Sequence, residues 1–120
     1  MTDSMTPSGL TKDECYRLSE KIRRHILGIT GVAGIRGNVW ERVKDSFSRH
    51  RRRSIDGIVM VETDDGFLVA ISLTAYYDIV LPMLATQIQY DVKSICYAHH
   101  VRSPVSVRIF IDNVVLKEKE

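Results

Sequence analysis

The stretch "IDGIVMVETDDGFLVAISLTAYY", residues 55–77, carries the clearest fold signal in the chain. Two runs rich in β-branched residues, IDGIVMVET and FLVAISLTAYY, flank Asp64-Asp65-Gly66. Asp65-Gly66, or Asp64-Asp65, offers a backbone with positive φ at low cost, so the spacing predicts an antiparallel hairpin closed by a tight turn. In the second run Phe67, Val69, Ile71 and Leu73 fall on one face, and Leu68, Ala70, Ser72 and Thr74 on the other. The first set is bulkier and is expected to meet the core.

Downstream, Pro82 stands where a helix can begin, because its missing N–H is one the first turn leaves unbonded anyway. Leu84, Ile88, Val92, Ile95 and Cys96 recur every three or four residues, with Asp91 turned outward, which predicts an amphipathic helix ending near His99-His100. Pro104 breaks that segment. "VSVRIFIDNVVL" then alternates Val105, Val107, Ile109 and Ile111 with Ser106, Arg108, Phe110 and Asp112, as a strand does. If this strand runs parallel to the hairpin, the helical crossover is expected to be right-handed.

Upstream, Thr11 and Glu14 form a capping box, and Cys15, Leu18, Ile22, Ile26 and Ile29 make one apolar helical face. Arg17, Lys21 and Arg24 share a wet face. Gly31 and Gly34 stop this helix near Gly28 or Thr30. Val32, Ala33 and Ile35 suit a short strand, whose glycines permit close packing or a bulge. Val39, Trp40, Val43 and Phe47 have the spacing of a short helix.

The element order defines an α+β fold: a small, mostly antiparallel sheet of about four strands with two amphipathic helices packed on one face. Residues 1–10 read as a flexible tail, 11–116 as one domain with a basic segment at 41–54, and 117–120 as a charged tail. At 120 residues, 44% hydrophobic and 27% charged, the chain has the composition and size of one ordinary domain. Two cysteines are too few for a disulfide framework, so a reduced, cytosolic setting is expected. "MTDSMTPSGL" lacks the basic and apolar regions of a secretory leader. No apolar run reaches the length that spans a bilayer.

The net charge of +2 is unevenly placed. Arg42, Lys44, Arg49, Arg51, Arg52 and Arg53 stand against Glu41 and Asp45, a local +4, so the remainder carries −2. "SRHRRRS", Ser48 to Ser54, is the densest part. Repulsion along it favours an extended, solvated loop. Three readings fit: a plain linker, a docking patch for acidic partners or anionic lipid head groups at about 1 kcal/mol per basic residue, or a nucleic-acid contact weakened by salt. Arg49, Arg51, Arg52 and Arg53 are the candidate partner- or anion-binding residues. Ser54 follows three arginines and fits a basophilic kinase target.

Two segments resemble the alkaline-shock, or envelope stress response, family of Gram-positive bacteria. "GITGVAGI", residues 28–35, is similar to that family's (V)PGVAG element. "AISLTAYYDIVLP", "MLATQIQYDVKSI" and "PVSVRIFIDNVVL" resemble its hairpin, helix and last strand, with Tyr77 five residues before Pro82. Thr30 replaces the family's proline, Asp78 replaces the glycine after the tyrosine, and "PSGLTKDE" lacks the usual Gly-x-Ile-x-Ile strand, so the chain resembles a divergent member. The resemblance implies a non-enzymatic, cytoplasmic interaction module in cell-envelope homeostasis, gathered at the inner membrane face through a membrane-anchored protein partner. Gly31, Gly34, Tyr77 and Pro82 carry over as fold determinants only.

The chemistry-bearing residues point the same way. His25 lies at the edge of the first helix's apolar face and reads as a packed or half-buried histidine. His99 and His100 suit the carbonyl end of the second helix and, if protonated, its dipole. Cys96 and His99 have a Cys-x-x-His spacing, but zinc needs two further ligands. Cys15 and Cys96 read as buried thiols. Gly31, Gly34 and Gly37 lack the strand and the Lys-Ser/Thr of a phosphate loop. No catalytic, metal or cofactor residue is therefore expected. The alternative function is a small RNA- or DNA-binding domain using the arginine segment. An open sheet edge makes self-association a further expectation.

Overall fold

The computed structural model describes residues 8–47, 50, 52–55 and 57–116. The elements run α1 (Lys12–Leu27), β1 (Val32–Ile35), α2 (Val39–Phe47), β2 (Arg52–Ile55), β3 (Ile58–Glu62), β4 (Phe67–Tyr76), α3 (Leu81–Ala98) and β5 (Val105–Val115). This is the expected α+β order. The sheet has five strands because part of the basic segment is itself a strand.

β4 organises the sheet. One of its edges pairs antiparallel with β3 over Phe67–Ile71 and then with β1 over Leu73–Ala75. Its other edge pairs parallel with β5, from Phe67↔Val105 to Tyr76↔Val115. β2 extends the β3 side. The hairpin of residues 55–77 is present, but it folds twice. Ile55 pairs with Ile58, and Gly57 between them has φ +83°.

The second turn corrects one expectation. No positive φ occurs at Asp64, Asp65 or Gly66. Glu62 pairs with Phe67, and the Thr63 N–H donates to the Gly66 carbonyl at 2.8 Å. Gly66 is needed for space instead: a Cβ there would collide with the Pro104 carbonyl, which accepts the Phe67 N–H at 2.8 Å.

Both faces of β4 are buried, which explains its nearly unbroken apolar run. Phe67, Val69, Ile71, Leu73 and Ala75 meet Leu18, Ile22 and Ile26 of α1 and Leu84, Ile88 and Val92 of α3. Each such large side chain, fully buried, contributes about 1.5–3 kcal/mol. Leu68 and Ala70 meet Val59 and Val61 of β3 and Val39 and Val43 of α2 on the opposite face. Two helices thus share one face as expected, and the short α2 covers the other.

The helix ends follow local chemistry. Thr11 and Glu14 make the reciprocal capping box, and the Thr11 bonds hold the Glu14 carboxyl below its usual range. α3 begins with Pro82 in its first turn and ends at His99. Val101 N–H reaches the Cys96 carbonyl at 3.1 Å and His100 N–H the Tyr97 carbonyl at 3.0 Å, a Schellman closure. His100 takes the left-handed position, φ 66°, where glycine is usual. Ser8 and Leu10, read as tail, are buried, and the Ser8 carbonyl accepts the Arg102 N–H. Residues 1–7 and 117–120 of the expected tails lie outside the described residues.

Candidate docking surface

The strand alternation of β2 separates the arginines that the sequence places side by side. Arg52 turns toward α2, where its guanidinium lies 4.2 Å over the Trp40 ring and Nη1 donates to Ser54 Oγ at 3.3 Å. Arg53 turns toward α1, where its guanidinium lies near the Cys15 thiol and favours its ionised form. The two cations therefore leave opposite faces of an edge strand and do not form one patch. This replaces the expected solvated loop at Arg52–Ile55. Ser54 is exposed on this strand. Ser48, Arg49 and Arg51 lie outside the described residues.

The histidines are dispersed. The His25 side chain is 44% exposed, and its Nε2 lies 2.9 Å from Asp91 Oδ2, tying α1 to α3. Asp91 is accordingly turned to α1 and half-buried, not outward. Burial, with Lys21 and His100 nearby, pushes the His99 pKa down, so its ring stays neutral near pH 7 and does not serve the helix dipole. Among the described residues, no three His, Cys, Asp or Glu side chains come together as a metal site. Cys15 and Cys96 are buried free thiols. Burial raises both, Cys96 to about 12 and Cys15 despite Arg53.

A polar cluster lies where β5 bulges. Register slips between Leu73 and Thr74, and Asp112 falls at the slip. Asp112 accepts from Ser72 Oγ and from Arg42, while Arg42 also lies 5.1 Å from the Phe110 ring centroid. Gly37, φ +94°, lets the chain pass close to this pair. These bonds tie α2 to the sheet.

The conspicuous surface lies on α3. Its inner side repeats every four residues through Leu84, Ile88, Val92 and Cys96, all buried. Tyr90 is two residues from both Ile88 and Val92, hence about 200° around the helix from each. Met83, Tyr90 and Tyr97 are seven residues apart and form a stripe on that outer pole, drifting only about 20° per step. They are 69%, 72% and 49% exposed. The sequence signal for this stripe was the seven-residue spacing of large apolar side chains, hidden behind the stronger four-residue core pattern.

The stripe runs into the sheet end where several chain ends meet. β4 and β5 finish there, α1 ends there, and α3 begins there. Tyr76 N–H donates to the Gly31 carbonyl at 2.9 Å, and Tyr77 N–H to the Val115 carbonyl at 2.8 Å. Gly31, φ +106°, admits Ile79 against the backbone: an added Cβ would lie 3.0 Å from it. A shallow cleft of about 740 Å3 opens beside it, lined by Thr30, Ile79, Val80, Met83 and Gln87 among others. Val80, Tyr77 and Leu116 add apolar surface at this end, each at least 60% exposed. The described residues contain no helix long and apolar enough to cross a membrane. No family model, curated protein or solved structure matches the chain.

Proposed function

We propose that the chain is a non-catalytic protein-interaction module of the alkaline-shock, envelope-stress kind that its sequence resembles. It would serve cell-envelope homeostasis from the cytoplasm, reaching the inner membrane face through a protein partner. The observation that carries the interaction reading is the Met83–Tyr90–Tyr97 stripe with its apolar end at Val80. A surface helix normally keeps its outer pole polar. Met83, Tyr90 and Tyr97 stand about 10.5 Å apart along this pole, with exposed Thr86, Gln87, Lys93 and Ser94 between them, and large apolar side chains aligned in the open on one helix face suit a protein contact site. Tyrosines suit the role because each presents a large apolar body with a polar tip.

The nucleic-acid reading has less support. Arg52 of the arginine segment already covers the face of the Trp40 ring. A ring so occupied is not a free stacking platform for a base. Arg53 is turned toward Cys15.

Co-purification from the native cells separates the two surfaces. A Met83→Glu, Tyr90→Glu variant is expected to lose its bound protein, and an Arg52→Ser, Arg53→Ser variant to keep it. The opposite pattern, or equal retention by both, contradicts this assignment.

A further inference from the structure

β5 is an edge strand, and its outer edge is only half capped. Alternate residues of a strand turn their backbone groups to opposite sides. Pro104 faces β4, because its carbonyl accepts the Phe67 N–H. Val105, Val107, Ile109 and Ile111 therefore face outward. Helix α3 caps the first two: Val105 N–H donates to Tyr97 Oη at 2.8 Å, and Gln89 Nε2 donates to the Val107 carbonyl at 3.2 Å. Among the described residues no strand pairs with the remainder, at Ile109 and Ile111.

We infer that this half-edge is a self-pairing site, joining two copies of the chain antiparallel about a two-fold axis at Phe110. The register follows from the edge. As far as Ile111 only odd-numbered residues face out, and past the slip at Asp112 the order reverses, since the Val115 carbonyl faces β4; a hydrogen-bonded pair on the free edge must therefore match two of Ile109 and Ile111. Placing Ile109 opposite the partner's Ile111 lets both exchange N–H···O=C bonds, twice by symmetry, without disturbing the Gln89 cap. On the α2 side of the sheet the same register sets Arg108 opposite the partner's Asp112, and Asp112 opposite the partner's Arg108. On the other side it sets isoleucine against isoleucine. Shifting the register by two residues in either direction loses the opposed charges.

The edge thus complements itself in charge and hydrogen bonding, as an isologous interface requires. Arg108 lies 5.4 Å from the Phe47 ring centroid and is exposed, so it can reach across. Pairing would merge two five-stranded sheets into one and would remove the open edge that otherwise invites uncontrolled association. This inference stands apart from the docking reading: it rests on the backbone edge of β5, not on the outer pole of α3.

Analytical ultracentrifugation and directed cross-linking test it on the full chain. The wild-type protein is expected to dimerise, and Arg108→Glu, which opposes like charges twice, to weaken the dimer about tenfold. Phe110→Cys at the axis should form an intermolecular disulfide on mild oxidation. Ser106→Cys should not, because its symmetry mate lies about 27 Å along the strand at 3.4 Å per residue. A wild-type chain that stays monomeric at millimolar concentration overturns the inference, as does a dimer in which Ser106→Cys cross-links as readily as Phe110→Cys.

Discussion

The Tyr97 hydroxyl accepts the backbone N–H of Val105 at 2.8 Å, so the outer stripe of α3 and the edge of β5 share one side chain. Tyr97→Phe keeps the ring and removes the acceptor. The change is expected to cost about 1 kcal/mol. Amide exchange at Val105 should quicken while exchange at Ile88 follows only the global loss of stability. Unaltered exchange at Val105 would show that this bond does not protect the edge.

His100 occupies a left-handed backbone position that an L side chain enters at a cost of roughly 1–2 kcal/mol. His100→Gly should therefore stabilise the protein by about 1 kcal/mol, offset in part by the freer unfolded chain. Urea denaturation reads this as a higher midpoint with an unchanged slope. A lower midpoint would mean that the imidazole makes a stabilising contact.

Gly66 and Asp65 are expected to respond differently. Gly66→Ala pushes a methyl group into the Pro104 carbonyl and should cost about 1–3 kcal/mol. Asp65→Gly lies at an exposed turn without a positive φ and should change thermal stability little. The reverse ranking would point to a turn governed by backbone angle after all.

The two thiols should be silent in the folded state. Burial raises Cys15, and raises Cys96 to about 12, so neither supplies thiolate near pH 8. An aromatic disulfide reagent at that pH should label neither until urea unfolds the chain. Rapid native-state labelling of Cys15 would show that Arg53 outweighs burial there.

Acid should weaken the fold through His99 and Glu14. Both have folded pKa values below their ordinary ones, 6.5 and 4.5. The unfolded chain then binds more protons, so each group's contribution is complete above its ordinary pKa and is lost as pH falls through the folded one. Melting temperature should decline first below about pH 6.5. His99→Gln should flatten that first decline and leave the one below pH 4.5. A profile identical to the wild type would exclude His99 as its source.

Much of this architecture is legible in the chain. The capping box at Thr11 and Glu14, the four-residue repeat of α3 and the alternation of β5 each rest on a short-range pattern, and short-range patterns survive folding. The misread places are those where distant backbone decides. Gly66 looks like a turn glycine, yet it makes room for Pro104, thirty-eight positions later in the chain. The arginines of residues 49–53 suggested a loop by their charge alone. Pairing of Arg52–Ile55 with β3 outweighed that repulsion by sending Arg52 and Arg53 to opposite faces. The exposed stripe of Met83, Tyr90 and Tyr97 is hard to see in the chain because its seven-residue spacing hides behind the four-residue repeat of Leu84, Ile88, Val92 and Cys96.

The outer pole of α3 is proposed to be a contact surface for another protein. Site-specific photo-cross-linking in the native cells tests it most directly, with the reactive side chain placed at Tyr90 and, as a control, at the exposed Arg17 of α1. A discrete adduct with a second protein is expected from position 90 and none from position 17. Equal labelling from both positions, or no adduct from position 90, would contradict it.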